Sequence, residues 1–370
     1  MKIKIFSDPK YVPQGVNPVT ILQPFWSKYL EKNQSPWSNY INDYINIADS
    51  LFELTTLENA DLAILPFDWL HVRGNTWKPQ INLSRMHLAL EFSNIVKKAN
   101  KPLIIFFTND SSHEEISIKD AFVFRQSLLA SQRKPHDFAM NAVHEDLVKC
   151  YLDNKLSIRQ KKDKPVIGFT GFANNLSWDI KLKELIYQIA MLPKGGADYL
   201  PYRGHRIRTE ALNYLSQSSG IETNFLIRDN MAFFNETIDI ETKLQLRIEY
   251  VNSIVNSDYM LCCRGRGNFS FRLFEVLCCG RIPIFIDTDC VLPFDFAIDW
   301  KKYCVWVDSQ ELPHIAEKVI DFHQNISPQE FIDLQYECRK LWEKMLSNEG
   351  YFSNFWQHFH AESKLQILSS

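Results

Sequence analysis

The sequence predicts an α/β protein with two domains, each built on a parallel sheet. Short apolar runs of strand length alternate with longer amphipathic stretches along most of the 370 residues. This alternation is the pattern of parallel sheets covered by helices, and a chain of this length can form two hydrophobic cores. Residues 157–165, SIRQKKDKP, have the basic, polar composition of a linker and precede a new apolar strand. We therefore expect a first domain at residues 1–158 and a second at residues 159–345.

The last residues, 346–370, are expected to form a tail outside both domains. The segment 351–360, YFSNFWQHFH, is densely aromatic, and aromatic side chains contribute large areas to protein cores. We therefore expect this segment to form a helix that packs back on the protein, with the first domain as a candidate surface.

The individual elements follow from the period of the apolar residues. The first half predicts strands at residues 2–6, 62–66 and 103–108 and helices at 36–50, 83–99 and 144–156. The second half predicts strands at 166–170, 259–263, 282–286 and 303–307, and helices at 181–191, 210–216, 243–256, 313–322 and 328–346. Between these elements, residues 199–208, YLPYRGHRIR, predict a basic loop.

The most informative segment is residues 259–294, YMLCCRGRGNFSFRLFEVLCCGRIPIFIDTDCVLPF. It predicts a buried strand, a basic loop, a helix from about Ser270 that ends at Gly280, and a second apolar strand. Such a βαβ unit joins two parallel strands and places the loop at the carboxyl end of the first one. Ligands of open α/β sheets bind in the crevice outside these strand ends.

Three arginines make a phosphorylated ligand the expected one for this loop. Arg264 and Arg266 lie in the loop itself, and Arg272 lies at the start of the helix. Backbone N–H groups at a helix N-terminus attract anions, and guanidinium groups pair with phosphate oxygens.

Arg272 and Glu275 are three residues apart, so they share one face of the predicted helix. This spacing suits two parts of a nucleotide, with the arginine on phosphate and the glutamate on ribose hydroxyls. It is also the spacing of an ordinary surface salt bridge, which is the commoner arrangement in helices. The neighbouring basic loop favours the nucleotide interpretation. The other side of this helix, which includes Phe271 and Phe274, is spaced for burial.

These residues resemble the exostosin-type glycosyltransferases. In that family an Arg-Gly loop leads into Ser-x-Arg-x-x-Glu, then a strand with Ile-Pro, then Leu-Pro-Phe. The matching residues here are Arg264, Gly265, Ser270, Arg272, Glu275, Pro283, Pro293 and Phe294. Cys263 and Arg281 depart from the family pattern, at positions outside the phosphate and ribose contacts. Weaker similarities occur at residues 60–67, 102–110 and 166–171, and Arg208 loosely resembles a family arginine that precedes a helix.

The resemblance implies a GT-B architecture, in which two Rossmann-like domains face a central cleft. It also implies an inverting transfer from a nucleotide sugar, with Arg264, Gly265, Arg266, Ser270, Arg272, Glu275 and Arg208 as the candidate donor-binding residues. Arg272 would stabilise the leaving diphosphate, because fixed cations stabilise charge that develops in a transition state.

An inverting transfer needs a general base near the acceptor hydroxyl. Asp110 follows the predicted strand 103–108 and matches the aspartate of a family His-Asp pair, with Asn109 in place of the histidine. Asp68 follows the strand 62–66 and is placed equally well. Each is also a plausible cap of a turn or helix, which is the structural alternative.

A metal ion is not expected, because the cations of the donor site can replace it. Asp287-Thr288-Asp289 has the form of a metal-binding Asp-x-Asp motif, but two carboxylates are too few for a hard-cation site. We therefore interpret it as a polar turn, and we expect no cofactor besides the donor sugar nucleotide.

Composition fits a cytoplasmic enzyme. The net charge of −3 argues against a general nucleic-acid binder. The eight cysteines show no metal-binding spacing and are expected to be free thiols of a reducing compartment. The N-terminal MKIKIFSD predicts a short strand rather than a signal peptide. We expect the protein in the cytoplasm, in contact with the inner face of a membrane only through its acceptor.

The sequence thus predicts a transferase that carries a sugar, with UDP as the expected nucleotide, to a glycan, lipid-linked glycan or glycoprotein acceptor in surface polysaccharide synthesis. Two alternatives stay open. One is a GDP-sugar enzyme similar to fucosyltransferases, and the other is a non-catalytic glycan- or nucleotide-binding protein with a degenerate site. The sequence leaves the sugar, the linkage and the oligomeric state undetermined, because family and fold do not fix them.

Overall fold

The computed structural model describes residues 2–29, 41–74, 80–173, 203–228 and 238–359. The chain divides into two compact units, of which the first comprises residues 1–145, 289–298 and 344–370 and the second residues 146–288 and 299–343. The sequence places the first boundary at 158/159, whereas the contacts change at 145/146. The chain also returns to the first unit twice, which a division by linker composition does not anticipate. The helix expected at 181–191 lies outside the described residues, as do parts of the helix at 36–50 and of the tail.

The first unit is built on a six-stranded sheet with the order β2-β1-β3-β4-β5-β6, in which every pair is parallel. Its strands are β1 (Ile3–Phe6), β2 (Phe52–Leu54), β3 (Leu62–Ile64), β4 (Leu103–Phe107), β5 (Phe122–Arg125) and β6 (Asp137–Ala139). Its helices are α1 (Asn42–Leu51), α2 (Leu70–Arg73), α3 (Leu83–Lys98) and, from the returning C-terminal segment, α10 (Asn348–Ser353).

The predicted helix at 83–99 is present as α3, and its start and its buried face follow from its sequence. Asn82 caps α3 by accepting a hydrogen bond from the backbone N–H of Arg85, as N-cap residues do. Ala89, Phe92 and Val96 then fall on one face at helical spacing, and all three are buried. That face closes one side of the sheet's apolar core.

The second unit is built on a five-stranded parallel sheet with the order β11-β10-β9-β7-β8. Its strands are β7 (Val166–Phe172), β8 (Glu222–Arg228), β9 (Tyr259–Cys262), β10 (Ile282–Asp287) and β11 (Val305–Asp308). Its helices are α4 (Leu147–Tyr151), α5 (Arg203–Gln217), α6 (Ile240–Val255), α7 (Phe271–Cys278), α8 (Ile315–Asn325) and α9 (Pro328–Leu341).

Two strands of this second sheet are nearly continuous apolar runs. β9 is fully buried, and β10 is buried up to its last residue, as expected for central parallel strands covered on both faces. The predicted βαβ unit is present as β9, α7 and β10. The prediction of two α/β units with parallel sheets is therefore confirmed. The sequence missed the strands β2, β5, β6 and β8, of which β2, β5 and β6 are only three or four residues long.

Both sheets reverse their strand order at one point. In the second sheet, β7 has β8 on one side and β9 on the other, which is the doubly wound order with its switch point between β7 and β9. In the first sheet the switch point lies between β1 and β3. The crevice outside the carboxyl ends at a switch point is where such sheets bind ligands.

No helix in the described part of the chain is both long enough and apolar enough to span a bilayer.

Candidate functional site

Arg272 lies at the switch point of the second sheet. It is the second residue of α7, and its side chain reaches back over the ends of two strands. Nη2 donates to the carbonyl of Thr170 in β7 at 2.7 Å, and Nη1 lies 3.4 Å from the carbonyl of Leu261 in β9. The guanidinium group stacks 4.5 Å above the ring of Phe169, an arrangement that stabilises the cation. The structure thus holds one positive charge where a ligand of this sheet would bind.

Arg208 supplies a second guanidinium at the same place. Its Nη1 donates to the carbonyl of Phe172 at 2.7 Å, and its Nη2 lies 3.4 Å from the carbonyl of Arg264. It also lies 5.8 Å from the ring of Phe169. The expectation of a loop at 199–208 is wrong for residues 203–208, which form the first turns of α5. Arg208 therefore lies within a helix rather than ahead of one. Residues 199–202 lie outside the described residues.

The two arginines retain donors that the described residues do not satisfy. The Nε atoms of Arg208 and Arg272 are buried and have no hydrogen-bond partner among these residues. Because unsatisfied buried donors are costly, such groups need an explanation. Two guanidinium groups that both lie over the ring of Phe169 and both have spare donors are suited to an anion with several oxygens, such as a diphosphate.

Glycine is required beside this pair. Gly171 has φ +147°, and a Cβ there would lie 3.1 Å from Nη2 of Arg272. A side chain would both strain the backbone and push the arginine away. Phe169, Thr170 and Gly171, near the end of β7, therefore all lie against the side chain of Arg272.

The basic loop before α7 contains two hydrogen bonds between its own residues. Arg264 is buried and its Nη2 donates to the carbonyl of Arg266 at 3.0 Å. The backbone N–H of Gly265 donates to the carbonyl of Phe269, also at 3.0 Å. Arg266 is exposed. In this arrangement Arg264 shapes the loop, whereas Arg266 faces solvent.

The start of α7 departs from the sequence expectation in one respect. Ser270 is the N-cap residue, but its side chain makes no capping bond within the described chain. Phe271 was expected to be buried and is 47% exposed. Phe274 is buried as predicted, together with Leu273 and Leu277. The ring of Phe271 lies edge-on to the ring of Phe269.

Glu275 turns towards α6. Its carboxylate accepts from Nη1 of Arg247 at 2.6 Å and from the hydroxyl of Tyr250 at 2.6 Å. It is only 8% exposed. Arg272 and Glu275 therefore share a helix but serve different neighbours, one the strand ends and the other α6. Arg247 and Tyr250 are not among the residues predicted from the sequence, although their three-residue spacing in the predicted helix 243–256 places them on one helix face.

The two candidate bases lie at the ends of strands in the first unit. Asp68 accepts from the backbone N–H of Leu70 at 2.7 Å, and from the backbone N–H and the hydroxyl of Thr108 at 3.1 and 2.6 Å. Burial raises the pKa of Asp68 to about 6, although these hydrogen bonds oppose the shift. Asp110 lies three residues beyond the end of β4 and is exposed. Asp68 thus joins the turn before α2 to Thr108, the residue after β4, and Asp110 is the more accessible carboxylate.

A pocket of about 320 Å³ lies beside the ends of β3 and β4. It is lined by Trp69, Arg73, Ile81, Met86, Phe107, Glu114, Glu115 and Ser117. Two of these residues are already engaged in the fold, because Trp69 is buried and Arg73 forms a bidentate pair with Glu114 at 2.7 and 2.8 Å.

The two aspartates of the Asp-x-Asp sequence belong to different units. Asp287 ends β10, whereas Asp289 has φ +66° and accepts from the backbone N–H of Ser131 in the first unit at 3.1 Å. Nowhere in the described ranges do three His, Cys, Asp or Glu side chains cluster as a metal site requires. Asp289 is thus part of a turn.

The sequence matches a known family over part of its length. Residues 206–321 match the family model of the Exostosin GT47 domain. Exostosin-1 of Drosophila melanogaster is 34% identical over 98 residues, which are 26% of this chain and 12% of that protein. The probable glucuronosyltransferase Os02g0520750 of Oryza sativa subsp. japonica is 36% identical over 81 residues, 22% of this chain and 18% of that protein. The probable beta-1,4-xylosyltransferase IRX10L of Arabidopsis thaliana is 35% identical over 81 residues, which are 22% of this chain and 19% of that protein.

The matches to these three relatives span less than a fifth of the relatives' length. The match to the family model, residues 206–321, includes the signature at residues 259–294. The resemblance to the exostosin-type family is confirmed over this region, which contains Arg208, Arg264, Arg272 and Glu275.

Solved structures resemble this one only distantly. The spinosyn rhamnosyltransferase SpnG, complexed with thymidine diphosphate, has a TM-score of 0.30 and 8% identity, covering 81% of this chain and 72% of that one. The N-terminal domain of trehalose-6-phosphate phosphatase from Candida albicans has a TM-score of 0.34 and 12% identity, covering 98% and 96%. The fold class of this chain therefore rests on its own strand orders.

Proposed function

We propose that this chain, of which residues 206–321 match the Exostosin GT47 domain, is an inverting glycosyltransferase. It transfers a sugar from a nucleotide sugar, with UDP as the nucleotide, to a glycan or glycoconjugate acceptor of surface polysaccharide synthesis. One observation carries the proposal. Arg208 and Arg272 meet on the ring of Phe169 at the switch point of the second sheet, each with a buried, unsatisfied Nε.

The two arginines supply the electrostatic part of the reaction. As the acceptor oxygen bonds to the anomeric carbon, the bond to the donor diphosphate breaks and its electron pair stays on the phosphate oxygen. Preorganised cations stabilise the charge that develops there, by about 3–4 kcal/mol for one well-placed donor. Both guanidinium groups are fixed by backbone carbonyls and by stacking on Phe169, so little reorganisation is needed. This arrangement supports a reaction without a divalent ion.

The general base that we propose is Asp110. The acceptor hydroxyl must lose its proton as it attacks, and a carboxylate within reach can accept it. Asp110 is exposed three residues beyond the end of β4, whereas Asp68 is part-buried. Asp68 remains the second candidate.

A reducing compartment suits the cysteines. All eight are free thiols, and most are buried. Because free thiols persist where glutathione keeps them reduced, we place the enzyme in the cytoplasm, with the inner face of a membrane as its acceptor's location.

Calorimetric titration tests the donor site. We would titrate wild type, Arg272→Ala and Arg206→Ala with UDP, GDP and CMP, with and without EDTA. Arg206 is the matched control, because it lies on α5 near Arg208 but its side chain is 47% exposed and paired with Glu210. We expect UDP to bind in EDTA and Arg272→Ala to weaken it about 30- to 100-fold, which corresponds to about 2–3 kcal/mol for contacts to a charged group. Arg206→Ala should stay within about twofold of wild type.

The outcomes separate the alternatives. Selective binding of GDP would indicate the GDP-sugar enzyme, and binding lost in EDTA would exclude the metal-free site. If the folded protein binds no nucleotide, the transferase proposal is wrong and a glycan-binding protein remains. Turnover of UDP-sugars completes the test, and Asp110→Asn should lower kcat by about 10²–10⁴-fold if Asp110 is the base.

A further inference from the structure

Two residues of α6 hold Glu275 from one side. Arg247 and Tyr250 are three residues apart and therefore project from the same face of the helix. Both donate to the carboxylate at 2.6 Å, the arginine to Oε1 and the tyrosine to Oε2. The guanidinium of Arg247 also lies 5.4 Å from the centre of the Tyr250 ring. One helix thus fixes both oxygens of a carboxylate on another.

Both donors to the Glu275 carboxylate keep their protons over a wide pH range. Burial raises the pKa of Tyr250 well above its ordinary value, and the neighbouring Glu275 raises it further. Tyr250 is consequently a hydroxyl donor at any pH at which the protein is studied. Arginine stays charged under the same conditions. The carboxylate therefore always has a neutral donor on one oxygen and a cationic donor on the other.

The cluster formed by Arg247, Tyr250 and Glu275 lies close to Arg272. Glu275 lies one turn beyond Arg272 on α7, so it is near the proposed diphosphate site. A glutamate on a free rotamer would lose conformational entropy when it accepted a ribose hydroxyl. A glutamate already fixed at both oxygens has lost that freedom on folding, and sites fixed in this way bind more tightly.

We propose that Arg247 and Tyr250 are positioning residues that orient the Glu275 carboxylate for the ribose hydroxyls of the donor nucleotide. The proposal rests on the proposed function, because it requires a nucleotide at this site. A purely structural role is the alternative, in which the cluster only joins α6 to α7. The two roles differ in what they predict for a ligand without ribose hydroxyls.

The proposal is tested by comparing a nucleotide that has the ribose hydroxyls with one that lacks them. We would measure the Kd of UDP and of 2′,3′-dideoxyuridine diphosphate for wild type, Tyr250→Phe, Arg247→Lys and Glu275→Gln. Tyr250→Phe keeps the buried ring and removes one hydrogen bond, and Arg247→Lys keeps the charge but loses the planar donor group. Tyr336→Phe is the matched control, since Tyr336 is an exposed tyrosine of α9 in the same unit.

We expect Tyr250→Phe and Arg247→Lys each to raise the Kd of UDP about tenfold, which corresponds to about 1.4 kcal/mol. The Kd of the dideoxy nucleotide should rise less than about twofold. Tyr336→Phe should change neither. In the double variant Tyr250→Phe/Glu275→Gln, the loss should be close to that of Glu275→Gln alone, because both act on the same contact.

Other outcomes would overturn the proposal. If the variants weaken UDP and the dideoxy nucleotide equally, the cluster is structural. If UDP binds wild type and Tyr250→Phe changes neither Kd, Glu275 does not depend on Tyr250. If wild type binds neither nucleotide, the proposed function itself fails, so the two failures are distinguishable.

Discussion

At the scale of single residues, Arg272 and Glu275 show what a sequence motif conveys. Their spacing correctly places both on one helix, near the end of a buried strand. It does not reveal that Arg272 reaches the carbonyl of Thr170 while Glu275 is held by Arg247 and Tyr250. Those partners are distant in sequence, and only folding brings them together.

Asp68 illustrates a second limit at this scale. Its position after a strand suggested a catalytic carboxylate, but the structure shows three hydrogen bonds that close the turn between β3 and α2 and join it to β4. Desolvation outweighs these bonds, and the pKa of the carboxyl is raised from 3.8 to about 6. The folded protein therefore holds this proton at pH values where the unfolded chain has released it.

The raised pKa of Asp68 makes the stability of the protein depend on pH. Between pH 3.8 and about 6 this carboxyl binds more protons in the folded state than in the unfolded state, so the free energy of unfolding falls as pH rises. The full effect is about 3 kcal/mol. We expect urea unfolding to show wild type losing up to this amount, relative to Asp68→Asn, between pH 4 and pH 7. A constant difference between the two proteins across this range would contradict the raised pKa.

At the scale of elements, the site depends on how closely α5 approaches the loop before α7. A Cβ at Gly204 would lie 2.1 Å from the carbonyl oxygen of Gly265 and 2.7 Å from that of Arg264. Since both contacts are to backbone, no side chain can rotate away. Arg208 lies one turn further along the same helix, so the glycine sets the distance at which that arginine meets its site.

Gly204→Ala should therefore separate the helix from the loop. We expect it to lower the free energy of unfolding by about 1–3 kcal/mol, the usual cost of overpacking, and to weaken UDP binding through Arg208. Urea unfolding and calorimetry measure the two effects. Gly265→Ala is the stability control, because nothing lies within 4 Å of the added carbon, and we expect a change within about 0.5 kcal/mol. Equal stability losses in both variants would contradict the close approach.

At the scale of the whole molecule, the core of the first unit is completed by the end of the chain. Phe355 is fully buried and packs on Phe52, Phe106 and Phe124 of the first sheet. His358 lies among the same rings, and burial lowers its pKa to about 3. The aromatic tail thus belongs to the first unit, at least as far as residue 359.

Phe355→Ala should consequently destabilise the first unit. We expect a loss of about 3–5 kcal/mol, the usual cost of removing a buried phenylalanine ring, measured by urea unfolding. Trp356→Ala is the matched control, because this adjacent aromatic residue is 46% exposed, and it should cost less than about 1 kcal/mol. Hydrogen exchange should show lost protection in β4 and β5 for Phe355→Ala. Similar losses in both variants would argue against this packing.

Local patterns in the sequence are enough to predict the α/β class, the βαβ unit and the family match around residues 259–294. These are properties of local period and of short motifs, which need no distant partner. Folding sets the strand orders, the switch point between β7 and β9, the placement of Arg208 and Arg272 over Phe169, and the return of the C-terminal segment to the first unit. Strand order and long-range packing depend on which apolar surfaces meet in the folded chain, and apolar burial is not directional. Many pairings therefore satisfy the same local pattern, and the folded structure selects among them.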